Sequence, residues 1–160
     1  MKIAFLLNGR QFETEADSTE RLSDILKATG RVSSVRTSCR KGECKSCSVI
    51  LNSDVVPSCM IPAFAARGSE IVTLEGFSKT KDYNDIIQAF EETGASPCDF
   101  CRGGTILTIQ SILERFSEPG ETQILDAFSG NICPCTNINL IIEAVKKAAL
   151  YRKRKRIGRK

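Results

Sequence analysis

The stretch SCRKGECKSC, Ser38 to Cys47, places three thiols within nine positions of a 160-residue chain. Clustered cysteines serve disulfides, zinc or iron–sulfur clusters, and the compartment separates the first from the others. The N-terminus, MKIAFLLNGR, holds five apolar residues in a row, Ile3 to Leu7, before Asn8-Gly9-Arg10. A secretory leader needs an apolar stretch of about 7–15 residues and a small-residue cleavage site, and a membrane span needs about 20. The expectation is a cytoplasmic chain, in which thiols stay reduced. Eight cysteines then point to metal rather than to four disulfides. Histidine is absent. That excludes mixed cysteine–histidine zinc sites, Rieske-type ligation and every Cys-His or Ser-His catalytic pair.

Composition bounds the rest. Hydrophobic residues make up 41% and charged residues 26%, ordinary soluble usage for one domain or two small ones. The net charge of +4 is unevenly spread. The last ten residues, YRKRKRIGRK, carry seven of the 23 Lys and Arg and none of the 19 acids, which leaves the body mildly acidic.

Working outward from the cysteine loop, two kinds of patterning appear. IAFLLNGRQFETEA reads as a hairpin around Asn8-Gly9, the favoured pair for a type I′ turn. DSTERLSDILKATG reads as a helix, with Asp17 and Glu20 as a capping box, Leu22, Ile25 and Leu26 on one face, and Gly30 as its stop. Two short strands flank Asn52-Ser53-Asp54, and Ile71 to Leu74 is another. Residues 1–76 therefore predict a small mixed sheet with one packed helix. Polar, unpatterned residues 77–82 predict a linker. Beyond it, Asn84–Thr93, Gly104–Phe116, Thr122–Phe128 and Asn137–Leu150 carry apolar residues at helical spacing. Residues 83–151 predict a lobe of about four helices, and 152–160 a solvated basic tail.

The cysteines form two quartets. Cys39, Cys44, Cys47 and Cys59 give C-x4-C-x2-C and a later fourth, the plant-type [2Fe-2S] ferredoxin spacing. Gly42 suits a loop position where φ must be positive or a Cβ would crowd the site. Cys98, Cys101, Cys133 and Cys135 give C-x2-C and, after thirty-one residues, C-x-C. Alone, that spacing also fits a four-cysteine zinc site. The quartets do not interleave, which favours one centre per lobe.

The combined pattern resembles the small iron–sulfur subunit of the molybdenum hydroxylases, the family of xanthine, aldehyde, nicotinate and carbon monoxide dehydrogenases. SCRKGECKSCSVILN, TLEG and SGNICPCT carry the likeness. The resemblance implies an α+β chain, with an N-terminal β-grasp, plant-type ferredoxin-like domain followed by a C-terminal four-helix all-α [2Fe-2S] domain. It implies two [2Fe-2S] clusters held by the eight cysteines. Molybdopterin is implied on a large partner subunit and FAD on a third. Lys45 stands where the family has glycine, Pro97 where it has a pterin-contacting glutamine, and Pro134 and Asn137 depart from C-R-C-T-G-Y.

Positive charge near a cluster favours its reduced form, so Lys45 is expected either to raise the first centre's potential or to be a solvated lysine of little effect. Pro134 removes one N–H donor beside the second quartet. The expected role is relay of single electrons from a molybdenum centre to flavin or another acceptor, without substrate chemistry on this chain. A stand-alone two-cluster ferredoxin, a redox sensor using the basic tail and a zinc module remain as alternatives. A nucleic-acid module is not expected, because Tyr151 is the only aromatic beside the tail.

Overall fold

Asn8 and Gly9 both adopt positive φ, 50° and 79°, and close the hairpin of β1 (Lys2–Leu7) and β2 (Arg10–Glu15). Type I′ turns require this of both central residues. The computed structural model describes residues 1–131 and 133–158. Along β1, Ile3, Phe5 and Leu7 alternate inward. A short helix, α1 (Leu22–Ala28), crosses above them and buries Leu22, Ile25 and Leu26. Asp17 accounts for one arm of the expected capping box, its N–H donating to Glu20 Oε2 at 3.3 Å. The helix nevertheless starts only at Leu22, one turn later than the pattern suggests.

The sheet is completed by β3 (Ser48–Leu51), β4 (Asp54–Pro57) and β5 (Glu70–Val72), in the order β2-β1-β5-β3-β4. β1 and β5 run parallel at its centre, whereas the other pairs are antiparallel. This is a β-grasp: two hairpins share a middle strand and fold around one helix. Strand β5 ends at Val72, two residues before the expected Leu74, because Thr73 turns the chain into α2 (Leu74–Phe77).

Half of the expected linker at 77–82 is helical. It contains the end of α2 and the start of α3 (Lys81–Thr93), whose first turn is capped by the Thr80 hydroxyl accepting from Tyr83 N–H. Phe77 is buried in the helical core. After α3 come α4 (Asp99–Arg115), α5 (Glu121–Ala127) and α6 (Ile138–Ile157). Ala144 and Ala148 of α6 let it approach Ile86, Ala89 and Phe90 of α3 closely. Each large apolar side chain so buried contributes roughly 1.5–3 kcal/mol.

Helix α4 begins five residues before the expected Gly104, and every residue from Gly103 to Gln110 is buried. A helix buried all round lies between layers rather than on a surface. Here one side meets β3 and β4 and another meets α3 and α6, so Ile50, Val55 and Val72 of the sheet pack against the helical core.

The basic end is not a free tail. Helix α6 continues to Ile157, and Arg152 is 8% exposed. Its guanidinium donates to Gln110 of α4 and lies 3.9 Å from both Asp82 and Glu114. Lys155 pairs with the buried Asp85, and Lys153 with Glu118. Of the charges at this end among the described residues, Arg152 alone is buried, and Lys153 to Arg156 remain exposed. Arg159 and Lys160 lie outside the described residues.

Candidate metal centres

The cysteine loop is wound tightly because three of its residues, Arg40, Gly42 and Lys45, take positive φ of 55°, 77° and 55°. Only glycine does so without steric cost. A Cβ on Gly42 would lie 2.9 Å from Met60 Cγ, so the loop is held close to the turn that carries Cys59. The winding turns backbone donors toward sulfur. The N–H groups of Lys41 and Cys44 both point at Cys39 Sγ, at 3.4 Å. Arg21 caps the Arg40 carbonyl at 2.8 Å, and Arg40 reaches Asp24 at 3.3 Å, which fixes the outer edge of the loop.

Cys47 and Cys59 are the buried half of this set. Ser58 donates to the Cys47 carbonyl through both its hydroxyl (2.6 Å) and its N–H (3.2 Å), tying the residue before Cys59 to Cys47. The thiols consequently differ. N–H donation from Cys44 and Lys41 brings Cys39 down to about 7, and burial pushes Cys47 up to about 11. Glu75 buttresses the approach to the loop, accepting from the N–H groups of Ser33 and Ser34 and from the Ser34 hydroxyl.

The second set is built on the N-terminus of α4. Cys98 is its N-cap and Cys101 lies in its first turn, where the helix dipole favours thiolate. Cys133 arrives from the segment after α5. The Sγ atoms of Cys98, Cys101 and Cys133 all lie within 4.8 Å of one another, with Cys98 and Cys133 3.6 Å apart. Cys98 N–H points at Cys133 Sγ at 3.4 Å. The N–H of Cys101 is the main influence that brings Cys98 down to about 7, whereas burial and the neighbouring sulfurs push Cys101 up to about 12. Cys135 is exposed and falls outside that group of three, although charge on Cys98 and Cys133 pushes its thiol up. All eight cysteines are free thiols.

Two glycines join the sets. A Cβ on Gly104, three residues after Cys101, would overlap the Lys45 carbonyl oxygen and lie 3.0 Å from its carbon. A Cβ on Gly130, three residues before Cys133, would overlap the Glu43 carbonyl oxygen and lie 3.0 Å from its carbon. The backbone on either side of Cys44, at Glu43 and Lys45, thus rests on both limbs of the second set. Sequence reading missed these contacts, although a Gly103-Gly104 pair inside a helical pattern is a sign of close backbone approach. The ammonium of Lys45 donates to the Ala127 carbonyl at 2.6 Å, and burial holds it below the usual lysine value. Lys45 is thus half-buried, with its ammonium held at the end of α5.

Two domain families match the chain. Residues 5–71 match the 2Fe-2S iron-sulfur cluster binding domain, and residues 73–146 match the [2Fe-2S] binding domain. The chain is 37% identical to the nicotinate dehydrogenase small FeS subunit of Eubacterium barkeri, covering 89% of this chain and 90% of that one. It is 34% identical to the xanthine dehydrogenase iron-sulfur-binding subunit of Escherichia coli O157:H7, covering 87% and 88%. The quinoline 2-oxidoreductase structure from Pseudomonas putida 86 superposes with a TM-score of 0.84 at 29% identity, covering 96% of both chains. Cysteine spacing, β-grasp and helical lobe, and likeness along nearly the whole chain agree: it belongs to the family of small [2Fe-2S] iron–sulfur subunits that serve the nicotinate and xanthine dehydrogenases, within the molybdenum hydroxylases.

Proposed function

We propose that this chain is the electron-transfer subunit of a multi-subunit molybdopterin-dependent hydroxylase, passing single electrons from a molybdenum centre on a large partner toward FAD or another acceptor. Cys39, Cys44, Cys47 and Cys59 would hold one [2Fe-2S] cluster, and Cys98, Cys101, Cys133 and Cys135 the other. A bound cluster of this type supplies reversible one-electron exchange.

The donor set fits such a group. Eight free thiols, no histidine, and N–H groups aimed at Cys39 and Cys133 sulfur suit thiolate-ligated iron. Backbone donors favour the deprotonated form of the Cys39 and Cys98 sulfurs. The raised values of Cys47 and Cys101 mean that loading must release protons. Burial of Cys47, Cys59 and Cys133 keeps water from those sulfurs. The reading is carried by the backbone contact of 43–45 with Gly104 and Gly130, which packs two thiol sets against each other as an electron path requires. The polypeptide contributes position and potential, and the chemistry of substrate oxidation lies elsewhere.

Analysis of the purified chain tests this. Iron and acid-labile sulfide should each approach about 4 per chain, with two paramagnetic signals after dithionite. Co-purification of the natively expressed protein with a large molybdopterin-containing subunit is the second expected result. Zinc without sulfide would overturn the iron–sulfur reading, and an iron-loaded chain that purifies alone from its native source would overturn the partner.

A further inference from the structure

We infer that Lys45 is a positioning residue for electron passage: it spans from the first cysteine loop to the C-terminus of α5 and fixes the limb that carries Cys133 and Cys135 against that loop. The inference rests on the two-centre reading above.

Three observations converge on this one residue. Its backbone holds φ of 55°, which a side chain without a compensating contact would leave strained. Its carbonyl touches Gly104 and also accepts from Ser48, through N–H at 3.0 Å and hydroxyl at 2.6 Å, so the loop cannot rotate there without breaking β3 at its start. Its ammonium donates to Ala127 O across 82 residues.

Ala127 is the last residue of α5. The final carbonyls of a helix lack intrahelical partners, and a cation there also opposes the negative end of the dipole. From Ala127 the chain runs through Phe128, which is buried, and Gly130, which sits on the Glu43 carbonyl. Asn131 follows, 3% exposed, its amide donating to Thr108 at 3.2 Å, and Cys133 comes two residues later. Lys45 and Glu43 therefore grip the same limb at two points, one by hydrogen bond and one by contact. A lysine that merely shifted a potential by its charge would need no such partner.

The experiment uses the full, iron-loaded chain with Lys45→Met, Lys45→Gln and Lys45→Arg. Iron and sulfide content is measured first, because a wild-type count short of two centres overturns the two-centre reading rather than the role of Lys45. Two readouts follow. Amide hydrogen exchange at Phe128 and Asn131 should quicken about tenfold or more in Lys45→Met and Lys45→Gln, and return toward wild type in Lys45→Arg. In the fully reduced protein, the magnetic interaction between the two paramagnetic centres should change in the same two variants and be restored by arginine. The signal of each centre reduced alone should keep its shape. Selective loss of the second centre in Lys45→Met would carry the same meaning, since Lys45 lies in the first loop. Unchanged exchange and unchanged magnetic interaction would overturn the inference. So would a shift of midpoint potential with the interaction intact, which assigns Lys45 an electrostatic role instead.

Discussion

Alanine at Gly104 sets two opposing effects against each other, and the structure decides which wins. Replacing glycine by alanine inside a helix ordinarily stabilises by about 0.5–1 kcal/mol. Gly103 and Gly104 are adjacent in α4 and should gain equally on that score. At Gly103 a Cβ would stand 3.2 Å from the Ser34 carbonyl oxygen, which needs a shift of only a few tenths of an ångström. At Gly104 it would overlap the Lys45 carbonyl oxygen and lie 3.0 Å from its carbon, where carbon contacts of about 3.5–4 Å are normal. Backbone must therefore yield by roughly 0.5–1 Å, and the Lys45 carbonyl is held by both donors of Ser48. Overpacking of this kind costs about 1–3 kcal/mol. Gly104→Ala should end about 1–2 kcal/mol less stable than wild type, lowering Tm by roughly 2–8 °C for a chain of this size. Gly103→Ala should lie at or slightly above wild type. Thermal unfolding followed by circular dichroism, with bleaching of the visible absorbance in parallel, measures both. A Gly104→Ala chain that melts at or above Gly103→Ala would refute the claim that the first cysteine loop bears on α4.

Ending the chain after Tyr151 removes Arg152 and Lys155, leaving Asp85 buried without its partner. That should cost about 3 kcal/mol or more, seen as a lower guanidinium midpoint, whereas a free tail would be lost without effect. Glu75 supplies a pH dependence. Burial raises its carboxyl, but donation from Thr73 and Ser34 outweighs that and brings it to about 2, against 4.5 when unfolded. A depressed folded value stabilises above the unfolded one and is lost as pH falls toward the folded one. The stability advantage of wild type over Glu75→Gln should be full at pH 7, shrink below about pH 4.5 and vanish near pH 2. A difference that stays constant across that range would exclude Glu75 as an ionised buttress. Cys44→Ser and Cys101→Ser should each abolish one paramagnetic signal and leave the other; loss of both signals from either single variant would mean that the sets do not load independently.

The sequence spoke most clearly where structure is local. Asn8-Gly9, the Gly94 stop of α3 at φ 75° and the strand pair around Asn52-Ser53 are each decided by two or three neighbouring residues. It spoke least where long-range contact overrides local preference. Residues 77–82 look polar, yet Phe77 packs into the helical core and Thr80 caps α3. The start of α4 at Asp99 was hidden because Gly103 and Gly104 are poor helix formers, and Gly104 is required by the cysteine loop that lies on it. The cysteine sets were legible from spacing alone, but their mutual contact was not. Nothing in the sequence says which carbonyl a glycine must admit.

The basic end of the chain shows the same limit for charge. Seven cations without an acid among ten residues read as a solvated basic tail, with a surface for an acidic partner as the less expected role. Such a role needs cations that face outward. Arg152, Lys153 and Lys155 pair with Asp82, Glu114, Glu118 and Asp85, acids that the helical lobe supplies from α3, from α4 and from the turn after it, whereas Arg154 and Arg156 stay exposed. Part of the acid excess in the body thus answers the base at the end, most directly at Arg152 and at the Lys155–Asp85 pair. Arg152 makes the case most firmly, because a guanidinium 8% exposed would be costly without the Gln110 amide and two carboxylates around it. A redox sensor that read its partner through this end would have to break those pairs first, and the buried Asp85 would then be left without a cation.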